Sequence, residues 1–128
     1  MKLKLIFLLS IFSLFITIHD AQSQSNVLEY KRLIGSWVRA DGGYVLEIKD
    51  VHENGKIDAA YFNPQPINVS EARASNQSDR IILFVELRDK GYPGSYYTLV
   101  YDQASERLVG RYHHLGINKK YDIFFVRK

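Results

Sequence analysis

The chain has 128 residues, with one Trp, nine Tyr, seven Phe, three Pro and no Cys. That length makes one domain, and the apolar and aromatic content is that of a folded protein rather than a disordered one. Seventeen basic against 14 acidic residues, a net charge of +3, is too even a balance to argue for a nucleic acid partner. The absence of cysteine excludes a disulfide scaffold, a thiol nucleophile and a thiolate metal site.

The first element in chain order is a targeting segment. Lys2 and Lys4 make a positive start, and Leu5 to Ile18 is apolar apart from Ser10, Ser13 and Thr17. Ala21-Gln22-Ser23 then places small residues where a signal peptidase reads. Residues 1–23 are therefore read as a signal peptide. The apolar run falls short of the roughly 20 residues a membrane span needs, so no transmembrane anchor is expected. The exported domain, periplasmic or secreted, is residues 24–128.

Residues 27–34 carry Val27, Tyr30 and Ile34 on one side of a short helical turn. After them the periodicity is 2. It predicts strands near Leu33–Arg39, Tyr44–Asp50, Lys56–Phe62, Ile67–Ala74, Arg80–Arg88, Ser95–Tyr101, Arg107–His113 and Lys120–Arg127. Every connection is too short for a crossover helix, so consecutive strands are antiparallel neighbours. The eighth strand, ending Ile123-Phe124-Phe125-Val126, is too apolar for an open edge. The expected class is all-β: an eight-stranded antiparallel up-and-down barrel with a short helical turn before strand 1.

In a meander the loops alternate between two ends. The second, fourth and sixth, which include Asn54-Gly55, read as plain polar turns. The first, third, fifth and seventh, residues 40–43, 63–66, 89–94 and 114–119, share the other end. They hold all three prolines, and Tyr44, Tyr61, Tyr92, Tyr96, Tyr97, Tyr112 and Tyr121 lie in or beside them. Tyrosine has an apolar face and a polar tip, which suits a half-wet recognition site. That end is read as a ligand mouth.

Gly35-Ser36-Trp37 on the first strand, together with Arg127 at the end of the last, resembles the calycins, the lipocalin, fatty-acid-binding and avidin families. The resemblance implies that Trp37 plugs the closed end of the barrel with Arg127 packed across it. It also implies that a ligand enters at the opposite end, the one with the tyrosines. The short strands and loops are most like the avidin branch. The later strands carry none of the tryptophans that line an avidin's biotin site, so biotin is not the expected ligand.

With Trp37 inward, alternation also turns Gly35, Arg39 and Asp41 inward. The expected ligand-binding residues are Arg39, Tyr44, Tyr61, Asn63, Tyr96, Tyr112 and Tyr121, with Thr98 and Val100 sharing the phase of Tyr96. The ligand is expected to be small and apolar or amphipathic, oriented by Arg39 and Asn63. Ile82, Phe84, Tyr97, Leu99, Tyr101, Val109, Phe124 and Val126 are predicted to face outward, an apolar patch suited to a homo-oligomer through strands 5–8.

No signature of catalysis is present: no Gly-x-Ser-x-Gly, phosphate loop or His-Glu-x-x-His. His113 and His114 are adjacent and point to opposite faces, and His52 lies at the far end, so neither a metal nor a cofactor is expected. The chain reads as a binding protein, not an enzyme. The alternative is an exported protein-interaction or inhibitor module that presents loop 89–94 or the segment before Leu33 to a target.

Overall fold

The computed structural model describes residues 26–128, and the predicted signal peptide lies outside the described residues. The alternating sequence forms nine strands: β1 (Gly35–Arg39), β2 (Val45–Val51), β3 (Ile57–Asn63), β4 (Gln65–Ile67), β5 (Val69–Gln77), β6 (Arg80–Asp89), β7 (Tyr92–Asp102), β8 (Arg107–His114) and β9 (Lys119–Arg127). They form one antiparallel sheet in the order β4-β3-β2-β1-β9-β8-β7-β6-β5, a nearly closed barrel. Residues 26–30 are helical and run into a 3-10 turn at Lys31–Leu33. Among the described residues no helix is long and apolar enough to cross a membrane.

The ninth strand, β4, lies mostly in the predicted mouth loop 63–66, and the predicted fourth strand becomes β5 from Val69 onward. Pro64 and Pro66 remove two backbone donors, so β4 pairs with β3 over three residue pairs only. At Asn68 the chain changes partner. Its backbone N–H donates to Asp89 Oδ2 at 2.8 Å, and its carbonyl accepts from the Arg88 N–H at 3.1 Å. From Val69 onward β5 pairs with β6. At the lower end β5 returns to β3, where the Ala74 N–H donates to the Gly55 carbonyl at 2.8 Å and Lys56 bridges Arg73. The sheet's two edges are thus joined at both ends, which limits the unpaired backbone available to other chains.

The inward residues pack as alternation requires. Trp37, Leu46, Ile48, Leu83, Val85, Leu87, Leu99, Leu108 and Phe125 form the lower and middle core, with Leu33 beneath them. β7 corrects the predicted phase. Tyr97, Leu99 and Tyr101, expected on the outer face, are buried in the core. Tyr96, expected in the mouth, lies outside, stacked on His113 at 4.2 Å, and Thr98 is exposed. The reason is a bulge. Register shifts between Leu87 and Arg88, so Leu87 faces Ser95 while Arg88 faces Pro93, leaving Gly94 over at φ +94. One extra residue in a positive-φ conformation inverts the faces of all that follow.

The rest of the outer prediction stands. Ile82, Phe84, Val109, Phe124 and Val126 all point out of the barrel. Cross-strand pairing aligns Ile82, Val100, Val109 and Phe124 into one row over four strands. The rings at the margins are partly covered by arginines: Arg73 lies 4.2 Å from the Phe84 ring centre and Arg107 lies 4.7 Å from that of Phe124. The Glu86–Arg88 pair is also outside, at 3.0 Å.

At the closed end the Arg127 guanidinium sits 4.2 Å from the Trp37 ring. Its Nε donates to Glu106 Oε2 at 2.8 Å, Nη1 to the Ile34 carbonyl at 2.9 Å, and Nη2 to the Arg32 carbonyl. Glu106 also accepts from the Tyr101 hydroxyl at 2.8 Å. The hydrogen bonds from Arg127 and then Tyr101 hold the Glu106 carboxyl below its ordinary value. A carboxyl so depressed adds stability above its unfolded value, near pH 4.3, and that contribution is lost as pH falls through the folded value. Between pH 6 and 3 the thermal midpoint of Glu106→Gln should fall less than that of the unaltered protein, measured by circular dichroism. Parallel pH profiles would show that Glu106 is not linked to folding.

Candidate functional site

The mouth opposite Trp37 contains a cavity of about 420 Å³, lined by Arg39, Asp41, Tyr44, Tyr61, Asn63, Gly91, Tyr92, Tyr112, His114 and Tyr121. These residues come from the upper ends of β1, β3, β7, β8 and β9 and from the turns between them, with Tyr44 just before β2. Because alternate residues of each strand face the axis, one row of side chains per strand converges there.

Arg39 is the floor. It is 9% exposed, and such a buried cation requires partners. Its Nε and Nη2 donate to the two oxygens of Asp41 at 2.6 and 3.2 Å, and Nη1 donates to the Tyr97 hydroxyl at 3.0 Å. Burial alone would weaken the guanidinium's hold on its proton. The hydrogen bonds to Asp41 and Tyr97 outweigh that and raise its pKa, so it stays charged. The Tyr44 ring covers the guanidinium at 3.8 Å, and Tyr112 lies 5.7 Å away.

Beneath it the Tyr97 hydroxyl is hydrogen bonded to that of Tyr61, 2.7 Å away. Burial pushes the Tyr97 phenol up to about 12, and burial together with its Tyr97 neighbour raises Tyr61 further. Both are neutral over the physiological range. Tyr97 stacks on Tyr112 at 4.6 Å and meets the edge of Phe125 at 5.3 Å. The upper interior is therefore a connected Arg–Tyr hydrogen-bond network fastened to the aliphatic core.

The rim is looser. Asn63 Nδ2 donates to the Tyr92 hydroxyl at 2.6 Å, tying the end of β3 to the start of β7. Tyr121 is 42% exposed at the start of β9. Tyr44 and Tyr61 lie nearly parallel, 18° apart with centres separated by 6.5 Å. Ser95, freed by the bulge to point inward, accepts from the Leu115 N–H at 3.1 Å and anchors the β8–β9 turn.

Of the seven residues expected at the mouth, Arg39, Tyr44, Tyr61, Asn63, Tyr112 and Tyr121 line the cavity, and Tyr96 does not. Asp41, expected inward beyond Arg39, lines it too, and Tyr92, Gly91 and His114 complete it. His114 was legible, since the inward series Leu108, Gly110, Tyr112 reaches it two residues later. Tyr92 follows from reading Lys90-Gly91 as a two-residue hairpin turn, which makes it the first residue of a strand. The segment 89–94 is consequently no protruding loop, because Asp89 pairs with Tyr92 and Arg88 with Pro93.

At the other end, Asp50, His52 and Asp58 bring three potential ligand atoms within 4.8 Å of one another, all exposed. A bulge between Ile48 and Asp50 sets Asp50 opposite Asp58. His52 Nε2 lies 3.0 Å from Asp58 Oδ2, a surface pairing that accounts for the cluster by itself. No protein-family model, curated protein or solved structure matches this chain.

Proposed function

We propose that this chain is an exported, calycin-like barrel that binds a small amphipathic molecule at its mouth. The observation that carries the reading is the cavity of about 420 Å³ at the tyrosine-rich end, within the size range of small-molecule sites. The calycin-like assignment is supported by Arg127 over Trp37 at the opposite end. Export is supported by the pattern of residues 1–23.

Binding rather than catalysis is the better reading of the cavity's chemistry. Its two charged partners, Arg39 and Asp41, hold each other, and the phenols beneath them are pushed away from neutral pH. General acid–base work also needs its base oriented by a partner, and His114, the imidazole in the wall, has a buried Nδ1 with no hydrogen-bond partner among the described residues.

The test is a thermal-shift screen of a metabolite library. A ligand at one hundred times its Kd stabilises by about 2.7 kcal/mol. Asn63→Ala and Tyr121→Ala, both at the exposed rim, should leave the unliganded melting temperature nearly unchanged and reduce the shift. A screen without hits, or hits indifferent to both substitutions, would contradict the reading.

The row Ile82, Val100, Val109 and Phe124 supports the further proposal that two copies meet through this face. Val109, 43% exposed at its centre, lines two surface hollows, one of about 430 Å³ beside Tyr101 and one of about 350 Å³ beside Phe124. Sedimentation should give a dimer that Val109→Lys converts to a monomer, and a monomeric parent would refute it.

A further inference from the structure

The mouth cavity carries a formal cation and a formal anion in its wall, Arg39 and Asp41, and they bind each other through two hydrogen bonds. An anionic ligand would have to compete with Asp41 for the guanidinium, and a cationic one with Arg39 for the carboxylate. Arg39, Asp41, Asn63 and several tyrosine hydroxyls stand in the wall, so a wholly apolar ligand would strip water from groups it cannot satisfy.

What the wall offers is hydrogen bonding of both senses. Asp41 accepts, and its side chain is 55% exposed beside the cavity. The phenols of Tyr44, Tyr92, Tyr112 and Tyr121 both donate and accept, as does the Asn63 amide. A guanidinium has five N–H donors, and among the described residues three hydrogen bonds engage Arg39, leaving two donors over. A ligand rich in hydroxyl groups, each both donor and acceptor, matches such a surface.

The second component is flat and apolar. Tyr121 stands exposed at the rim, and the half-buried Tyr44 ring lies with one face over Arg39. Aromatic faces of this kind pack against the C–H faces of a saturated ring while leaving its equatorial hydroxyls to the polar groups around it.

We infer that the mouth takes a neutral carbohydrate, a mono- or disaccharide unit, with its C–H face against the tyrosine rings and its hydroxyls on Asp41, Asn63 and the two spare Arg39 donors. This rests on the reading of the cavity as a ligand site and names the class of molecule that fills it.

The experiment is a heteronuclear NMR titration of the ¹⁵N-labelled protein with glucose, galactose, mannose, N-acetylglucosamine, maltose and cellobiose. Palmitate and benzoate serve as long-chain amphipathic and small aromatic anionic probes. At least one saccharide is expected to shift the amides of Asp41, Asn63, Gly91 and Tyr92 saturably, with a Kd of roughly 1 mM or tighter. Asn63→Ala should weaken that binding about tenfold with the remaining spectrum intact. If palmitate or benzoate saturates those amides and no saccharide does, the carbohydrate inference is overturned while the cavity remains a ligand site. If no probe moves them, both readings fail.

Discussion

Trp37→Ala is expected to remove about 3–5 kcal/mol of folding stability, the usual range for deleting a large buried aromatic side chain. Trp37 has no exposed surface. Its indole N–H donates to the Leu33 carbonyl at 2.9 Å, its face receives Arg127 at 4.2 Å, and Tyr101 meets it edge-on at 6.2 Å. The ring thereby connects β1 to the turn below it, to β9 and to β7. Alanine leaves a cavity, a buried carbonyl without its donor, and a guanidinium without its floor. A domain of this size has about 5–15 kcal/mol in total, so the variant should unfold at a much lower urea concentration, followed by circular dichroism. Trp37→Phe keeps most of the packing and loses the N–H, and should fall between the two. A Trp37→Ala variant within about 1 kcal/mol of the parent would show that the closed end does not depend on this ring.

Gly110→Ala is the second large effect. Gly110 lies on β8 opposite Leu99 of β7. A Cβ placed there would sit 2.0 Å from the Thr98 carbonyl oxygen and 3.0 Å from the Leu99 Cα. Both are backbone atoms, so no side-chain rotation relieves the clash, and the two strands must separate. Tyr97 and Tyr112 stack across this same pair, so the displacement reaches the floor of the mouth. Overpacking typically costs about 1–3 kcal/mol and here should reach at least the upper end. Gly43→Ala is the control, since its Cβ would meet nothing within 4 Å. That change should be neutral or stabilising by a few tenths of a kcal/mol, because it restricts only the unfolded chain. Equal urea midpoints for the two variants would contradict the close approach of β7 and β8.

Much of this architecture was legible in the sequence because alternation is strict where one face is buried and the other wet. Leu83, Val85 and Leu87 against Glu86 and Arg88 fixed the phase of β6, and Ile123 and Phe125 against Asp122 fixed that of β9. The mouth residues on β1, β3, β8 and β9, with Tyr44 just before β2, followed by the same counting. β7 was illegible for a physical reason. Tyr96-Tyr97-Thr98-Leu99-Val100-Tyr101 is apolar in both phases, so only the bulge at Gly94 decides which set turns inward. The change of partner at Asn68 was hidden as well. It depends on hydrogen bonds to Arg88 and Asp89, twenty residues away or more. The pairing of Arg39 with Asp41 and with Tyr97, 58 residues on, likewise belongs to packing rather than to any local pattern.

The barrel thus divides its labour along its axis. Trp37 and Arg127 seal one end, the aliphatic layer fills the middle, and the Arg39–Tyr97–Tyr61 network makes the floor of an open cavity. On the proposed reading, a floor held by these hydrogen bonds would need little ordering when a small molecule binds.

Native mass spectrometry of the protein taken directly from its own host is the most direct test that the mouth is a ligand site. The account predicts a noncovalent small-molecule adduct on the parent protein that is depleted in Asn63→Ala and Tyr121→Ala. A bare polypeptide mass in the parent, or an adduct equally abundant in both rim variants, would contradict it.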